Sequence, residues 1–107
     1  MIDNNVIKKF IKKMGMKMYA TPHFSVSGKD ICIHLRVRQG ETLQYYVEDC
    51  YEVDEEGKVR FIESEYNFGA RHGVFAYLGD DTAVDNFFLD VTQAFAQKFI
   101  DEKIKPS

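Results

Sequence analysis

Two stretches of the chain repeat apolar residues at the three-to-four-residue spacing of an amphipathic helix. The first follows a cap at Asp3 or Asn4 and ends at Gly15, and the second follows a cap at Thr82 and is stopped by Pro106. The pattern therefore predicts an N-terminal and a C-terminal helix, each with one apolar face. The apolar positions are Val6, Ile7, Phe10, Ile11 and Met14 in the first helix, and Val84, Phe87, Phe88, Val91, Phe95 and Phe99 in the second.

Between these helices, apolar and polar residues alternate with the period of two that is typical of strands with one face on a core. The clearest alternation covers residues 31–38 and 42–54. Weaker signals predict an edge strand around Phe24 and Val26 that ends at Gly28, and a further short strand over residues 74–78. The positions expected to face the core are Ile31, Ile33, Leu35, Val37, Leu43, Tyr45, Val47, Tyr51 and Val53, which puts Gln44 on the other face.

Residues 54–58, Asp-Glu-Glu-Gly-Lys, have the composition of a tight hairpin, in which Gly57 supplies the positive φ. Pairing Val53 with Val59 across this turn keeps apolar residues on one face. The same register sets Glu52 opposite Arg60, where their charges attract. We therefore expect this register for the hairpin.

Taken together, the elements predict an α+β fold: an antiparallel sheet of three to five strands, with the N- and C-terminal helices packed on one face. The chain has 107 residues, of which 45% are hydrophobic, and this supports one domain over residues 1–107. No apolar run approaches the roughly 18 residues of a membrane helix, and the N-terminus has no signal-peptide pattern. We expect a cytoplasmic protein without a membrane partner.

The formal net charge of −3 conceals a strong asymmetry along the chain. Residues 1–40 hold eight Lys and Arg against two acidic residues, whereas residues 41–107 hold six against fifteen. The basic part includes a lysine cluster that could track nucleic-acid phosphates, although it has no Arg to grip phosphate with two hydrogen bonds. The acidic part includes a hairpin that could dock a basic partner. The cluster consists of Lys8, Lys9, Lys12, Lys13 and Lys17, and the hairpin of Asp54, Glu55 and Glu56.

A third candidate surface is the sheet face that the helices leave uncovered. Tyr and Arg, which often anchor protein interfaces, occur on it together with a histidine and a pair of opposite charges. The residues assigned to this face are His34, Arg36, Arg38, Tyr46, Glu52, Arg60 and Ile62. This face and the acidic hairpin support the leading hypothesis: a small non-catalytic interaction or regulatory protein that binds a protein partner, with a homodimer as one form. Nucleic-acid binding through the lysine cluster is the alternative.

The two cysteines also fall on this uncovered face. Val37 can pair with Leu43 or with Tyr45, and the second option sets Cys32 directly opposite Cys50. A redox switch would follow from that option, but for a cytoplasmic chain we expect two reduced thiols. No metal site and no cofactor are predicted.

One loop, residues 69–73, has the composition of a small ligand site. Its glycines allow close approach, Arg71 could hold a carboxylate or phosphate, and His72 could move protons. Asp49 and Glu63, paired on the inward side in the register above, could face this loop. This gives a third hypothesis, a small ligand-binding domain or enzyme. Because no catalytic motif accompanies the loop, no catalytic residue is assigned and an enzyme is disfavoured.

Overall fold

The computed structural model describes residues 2–68 and 73–104. These residues form, in chain order, helix α1 (Asn4–Lys13), strands β1 (Lys17–Phe24), β2 (Asp30–Gln39), β3 (Thr42–Val53) and β4 (Val59–Phe68), a 3₁₀ turn (Gly73–Leu78) and helix α2 (Asp81–Ile104). The strands make one antiparallel sheet in the order β1-β2-β3-β4. Residues of α1 and α2 share a core with the same face of this sheet. The predicted α+β architecture is confirmed.

Helix α1 begins and ends as the sequence predicts. Of the two candidate caps, the structure selects Asp3, whose carboxylate accepts a hydrogen bond from the Val6 N–H at 3.0 Å. Gly15 follows the helix with φ at 68°, a conformation that side chains disfavour. Ile7 and Ile11 are buried in the core, which leaves the lysines of α1 exposed on the opposite face.

Strand β1 lies earlier in the chain than the predicted edge strand. It ends at Phe24, and the expected continuation through Val26 to Gly28 is wrong, because these residues form a turn. In that turn the Gly28 N–H donates to the Ser25 carbonyl at 2.9 Å. Pro22 lies within β1, where the missing N–H is tolerated because β1 is an edge strand.

The central hairpin β2–β3 carries the inward apolar row that the alternation predicts. The apolar inward residues of β2 have no exposed surface, and Tyr45, Val47 and Tyr51 of β3 are at most 1% exposed. Helix α2 covers this row with Val84, Phe87, Phe88, Ala96 and Ile100. The stacked rings of Tyr45 and Phe88, 4.2 Å apart between centroids, join sheet and helix at the centre.

The approach to α2 differs from the prediction in two ways. The cap is Asp80, whose carboxylate accepts a hydrogen bond from the Ala83 N–H at 3.0 Å, so the expected Thr82 cap is wrong. Residues 74–78 form part of a 3₁₀ turn and not a strand. Phe75 is fully buried there and Val74 and Leu78 are partly buried, a spacing that suits a helical turn better than alternation.

The acidic hairpin is held in place by a side chain from α2. Gln97 accepts a hydrogen bond from the Val59 N–H at 3.0 Å and donates one to the Gly57 carbonyl at 2.7 Å. Asp54 supports the same turn, since its carboxylate accepts from the N–H groups of Glu56 and Lys58, each at 2.9 Å. The predicted pairing of Val53 with Val59 is confirmed.

Among the described residues, neither helix is both long and apolar enough to cross a membrane.

Replacing Gln97 tests how firmly α2 fixes the hairpin. In Q97A the Gly57 carbonyl and the Val59 N–H lose their side-chain partner, so we expect a loss of about 1–2 kcal/mol of unfolding free energy. Hydrogen exchange at the Val59 amide should accelerate more than exchange elsewhere in β4. Gln93→Ala, an exposed glutamine on α2, is the matched control. Equal effects of the two variants would contradict the clamp.

Candidate functional site

The sheet face opposite α1 and α2, which we call the outward face, forms regular cross-strand rows. Alternation along each strand and the observed pairing bring together side chains that lie far apart in the sequence. From one end to the other, the rows are Lys17, Arg38 and Leu43; Tyr19, Arg36 and Tyr46; Thr21, His34, Glu48 and Tyr66; His23, Cys32, Cys50 and Glu63; and Asp30, Glu52 and Arg60.

His34 and its neighbours form a connected polar cluster at the centre of this face. The His34 Nε2 atom lies 3.3 Å from the Glu48 carboxylate, and its Nδ1 atom lies 3.0 Å from the Tyr46 hydroxyl. In the neutral imidazole whose Nε2 hydrogen faces Glu48, Nδ1 accepts the hydrogen bond from Tyr46. The rings of His23 and Tyr66 flank the cluster, at centroid distances of 5.0 Å from His34 and 4.9 Å from Tyr46.

Two depressions open to solvent on either side of Tyr46. The larger, of about 470 Å³, is lined by Leu43, Tyr46, Glu48 and Tyr66. The smaller, of about 270 Å³, is lined by Thr21, His23, His34, Arg36 and Tyr46. Tyr46 lines both recesses and therefore lies between them, and the larger recess is more aromatic while the smaller one is more basic.

Leu43 reaches the outward face through a β-bulge that the alternation did not predict. Val37 pairs with Tyr45 but Arg38 pairs with Leu43, so Gln44 is the extra residue of β3. Gln44 is buried instead, and its side-chain oxygen accepts a hydrogen bond from the Val74 N–H at 3.1 Å. The expected orientations of Leu43 and Gln44 are therefore wrong.

The expected pairing of Asp49 with Glu63 is wrong for a similar reason. Strand β4 has register shifts on either side of the Asp49–Ser64 and Cys50–Glu63 pairs, so Ile62 and Glu65 are unpaired extra residues. Glu63 consequently lies opposite Cys50 on the outward face, away from Asp49. Ile62, expected on the regular outward face, is a bulge residue that is about half exposed.

Asp49 is buried in a hydrogen-bonded network between the sheet and α2. Its carboxylate accepts from the Ser64 hydroxyl at 2.5 Å and from the Thr92 hydroxyl at 2.7 Å. Burial raises the pKa of Asp49, although these two hydrogen bonds oppose the shift. Burial also raises the pKa of Tyr51, whose hydroxyl lies 2.8 Å from that of Thr92. This network is structural, since it lies on the helix side of the sheet.

The cysteine pair occupies one of the two registers that the sequence left open, but its chemical state differs from the prediction. Cys32 lies opposite Cys50, as the pairing of Val37 with Tyr45 requires. The two residues form a disulfide, so the expectation of two reduced thiols is wrong. Cys50 is only 4% exposed, whereas Cys32 is partly exposed. The ligand atoms of Cys32, Cys50 and Glu48 all lie within 4.8 Å of one another, which is close enough for a shared metal ion.

The remaining candidate residues are distributed over separate surfaces. Arg60 and Glu52 form the predicted pair at 3.0 Å, and Arg38 donates a hydrogen bond to the Glu41 carbonyl at 3.1 Å. Glu55 and Glu56 are exposed on the hairpin. Lys17 pairs with Arg38 at the end of the sheet, so it does not belong to the exposed face of α1 that carries the other lysines, Lys8, Lys9, Lys12 and Lys13.

The loop site and the lysine cluster stay predictions. Arg71 and His72 lie outside the described residues, and Asp49 is engaged elsewhere. The α1 lysines are exposed, but nothing else in their described surroundings indicates a nucleic-acid contact. No protein-family model, curated protein or solved structure matches this chain.

The raised pKa of Asp49 predicts a definite dependence of stability on pH. In the native state Asp49 keeps its proton at pH values above the ordinary aspartate pKa of about 3.9. The unfolding free energy therefore falls as pH rises from about 3.9 through the raised pKa of Asp49. D49N removes this contribution, and each tenfold difference in proton affinity between the folded and unfolded states corresponds to about 1.4 kcal/mol.

Urea unfolding of wild type and D49N between about pH 4 and 8 measures the effect as a difference curve. The control is Glu102→Gln, an exposed acidic residue of α2. A difference curve that is flat with pH would contradict the assignment to Asp49.

Proposed function

We propose that this protein is a non-catalytic, regulatory interaction domain that docks a protein partner through its outward face, and that a second copy of the chain is such a partner. The observation that carries the proposal is the separation of charge along the outward face on either side of an aromatic centre. We expect it to act in the cytoplasm. Its effect on other molecules would come from occupying or releasing this face.

Charge is separated along the strand direction. One end of the outward face holds Lys17, Arg36 and Arg38, and the other holds Asp30, Glu52 and Glu63. Arg60 lies at the acidic end, where it pairs with Glu52 and offsets one of these negative charges. The acidic end continues into the exposed glutamates of the hairpin. A two-fold axis parallel to the sheet and perpendicular to its strands would set the basic end of one copy on the acidic end of the other. Closed dimers need such a self-complementary surface, which also orients the encounter.

Aromatic side chains at the centre supply the contact that charge alone does not. Tyr46 lies between the two recesses, and Leu43 and Tyr66 line the larger one. Tyr19, in the same row as Tyr46, is about half exposed. Tyrosines that bury the ring and leave the hydroxyl group in contact with water are frequent anchors of protein interfaces. The flanking charges would form the polar rim around this anchor.

Self-association is measured by size-exclusion chromatography with light scattering. We expect a dimer at micromolar concentration, and a dissociation constant raised about tenfold or more in Y46A, because an anchoring aromatic contributes at least about 1.4 kcal/mol. Tyr77→Ala removes a ring that is 84% exposed outside the sheet and should leave the dimer unchanged. A wild type that stays monomeric at high micromolar concentration would overturn the homodimer.

Charge swapping tests the orientation of the two copies. Reversal of Glu52 and Glu55 to lysine should slow association, most strongly at low salt, because exposed charges are screened over about 10 Å at 0.1 M salt. Mixing this variant with one carrying Arg36→Glu and Arg38→Glu should restore association as a heterodimer. Lys12→Glu with Lys13→Glu on α1 is the control. Failure of the complementary mixture to associate would exclude the antiparallel arrangement.

A further inference from the structure

Three potential metal ligands meet at the middle of the outward face. Cys32 and Cys50 face each other across β2 and β3, and Glu48 lies one position along the same face of β3. The two sulfur atoms and the carboxylate lie within 4.8 Å of one another. Thiolates with a carboxylate are ligands that Zn²⁺ accepts in proteins. All three side chains are buried or partly buried, so water competes less for a cation here than at the exposed acidic end.

The pairing geometry keeps the two sulfur atoms together even without a bond between them. The Val53 N–H donates to the Lys29 carbonyl at 2.7 Å, in the same register as the cysteine pair. Because hydrogen-bonded and non-hydrogen-bonded pairs alternate along antiparallel strands, Cys32 and Cys50 form a non-hydrogen-bonded pair. Their Cα atoms are 4.0 Å apart. Side chains are closest at such positions, and tetrahedral zinc needs its two sulfurs only about 3.8 Å apart.

Glu48 is already oriented by a neighbouring side chain. The His34 Nε2 atom lies 3.3 Å from one carboxylate oxygen, and the Tyr46 hydroxyl fixes the other ring nitrogen. His34 and Glu48 are 27% and 20% exposed, so this contact is partly shielded from solvent. A carboxylate ligand that is hydrogen-bonded in this way is typical of protein metal sites. His34 is thus a positioning residue, and Glu48 retains an oxygen for the metal.

We propose that reduction of the Cys32–Cys50 disulfide opens a zinc site formed by both thiolates and the Glu48 carboxylate. A cellular dithiol supplies two electrons and two protons, becomes a disulfide itself, and leaves two thiols on the protein. Binding of Zn²⁺ then releases the two thiol protons and forms two Zn–S bonds. Water completes the coordination. The disulfide and the zinc-bound state exclude each other because they use the same sulfur atoms.

Co²⁺ serves as the spectroscopic probe for this site. The chain purified without reductant should have no titratable thiol. After reduction with a water-soluble phosphine, which becomes the phosphine oxide, and removal of the reagent without oxygen, it should have two. One Co²⁺ per chain should then produce a thiolate charge-transfer band and visible bands of a four-coordinate ion, and Zn²⁺ should displace it. The oxidised chain should give neither band.

Two variants separate the ligand from the positioning residue. E48Q keeps the shape of the side chain, and we expect it to weaken Co²⁺ binding about tenfold or more and to shift the visible bands. H34A should weaken binding by a similar factor but leave the charge-transfer intensity per bound ion unchanged, since the thiolates remain. Glu63→Gln, which removes a carboxylate opposite Cys50 at the β4 end of the cysteine row, is the matched control and should bind as wild type does.

Zinc should also protect the thiols. Reoxidation of the reduced chain by a small-molecule disulfide should slow at least about tenfold with saturating Zn²⁺, and E48Q should lose part of that protection. Circular dichroism of each reduced variant establishes that it is folded. Absence of the charge-transfer band in folded, reduced wild type would overturn the proposal, as would a Co²⁺ affinity in E48Q equal to that of wild type. Carrying out these measurements on the monomeric species, separated by size-exclusion chromatography, keeps their outcome independent of self-association through the outward face.

Discussion

The arrangement of this molecule depends on the burial of one face of the β2–β3 hairpin against α2. Ile31, Ile33, Leu35 and Val37 have no exposed surface, so a shift of β2 by one residue would move Cys32, His34 and Arg36 into the core. The energetic penalty of that shift fixes which side chains face outward. The order of the outward rows, including the cysteine pair and the His34–Glu48 contact, is a consequence of hydrophobic burial on the other side of the sheet.

Strand β4 is subject to a second constraint, because it has to supply a hydrogen-bond donor to a buried carboxylate. Asp49 lies on the inward side of β3, where an unpartnered carboxyl group would be costly. The register shifts in β4 bring Ser64 opposite Asp49, and Thr92 of α2 supplies the second hydroxyl. The extra residues at Ile62 and Glu65 accompany this register. The pairing of β4 with β3 is therefore regular next to the hairpin, where the apolar pairs and the charged pair fit the same register. It is irregular beside the Asp49 carboxylate.

These two constraints explain how far the sequence could predict the structure. The central strands and the hairpin pairing of Val53 with Val59 follow from alternation, and the α+β class follows once the helical spacing is added, because each of these elements has a continuous apolar face. Alternation leaves two registers for β2 and β3, and only one of them sets the cysteines opposite each other. The bulge at Gln44 has a signal that alternation overlooks. A two-residue turn at Gly40 and Glu41 implies one pairing register for β2 and β3, and the apposition of the cysteines implies a register offset by one residue. One extra residue in β3 accounts for the difference. The Asp49 network could not be predicted, since its partners come from β4 and α2 and no periodicity links them. The 3₁₀ turn could not be predicted either, because a short apolar run has no diagnostic period.

The residues of the candidate site are not constrained by the packing of the hydrophobic core. Neither Tyr46 nor His34 contributes to the core, yet Tyr46 orders His34 and His34 orders Glu48 on the face of the sheet opposite α1 and α2. An α+β domain does not need a hydrogen-bonded chain of this kind on its uncovered face in order to fold. This series of hydrogen-bonded side chains starts at Tyr46, between the two recesses, and ends at Glu48, whose carboxylate lies within 4.8 Å of the sulfur atoms of the Cys32–Cys50 pair. A change at the sulfur atoms would therefore reach the proposed docking surface through Glu48, His34 and Tyr46, without any movement of the core beneath them.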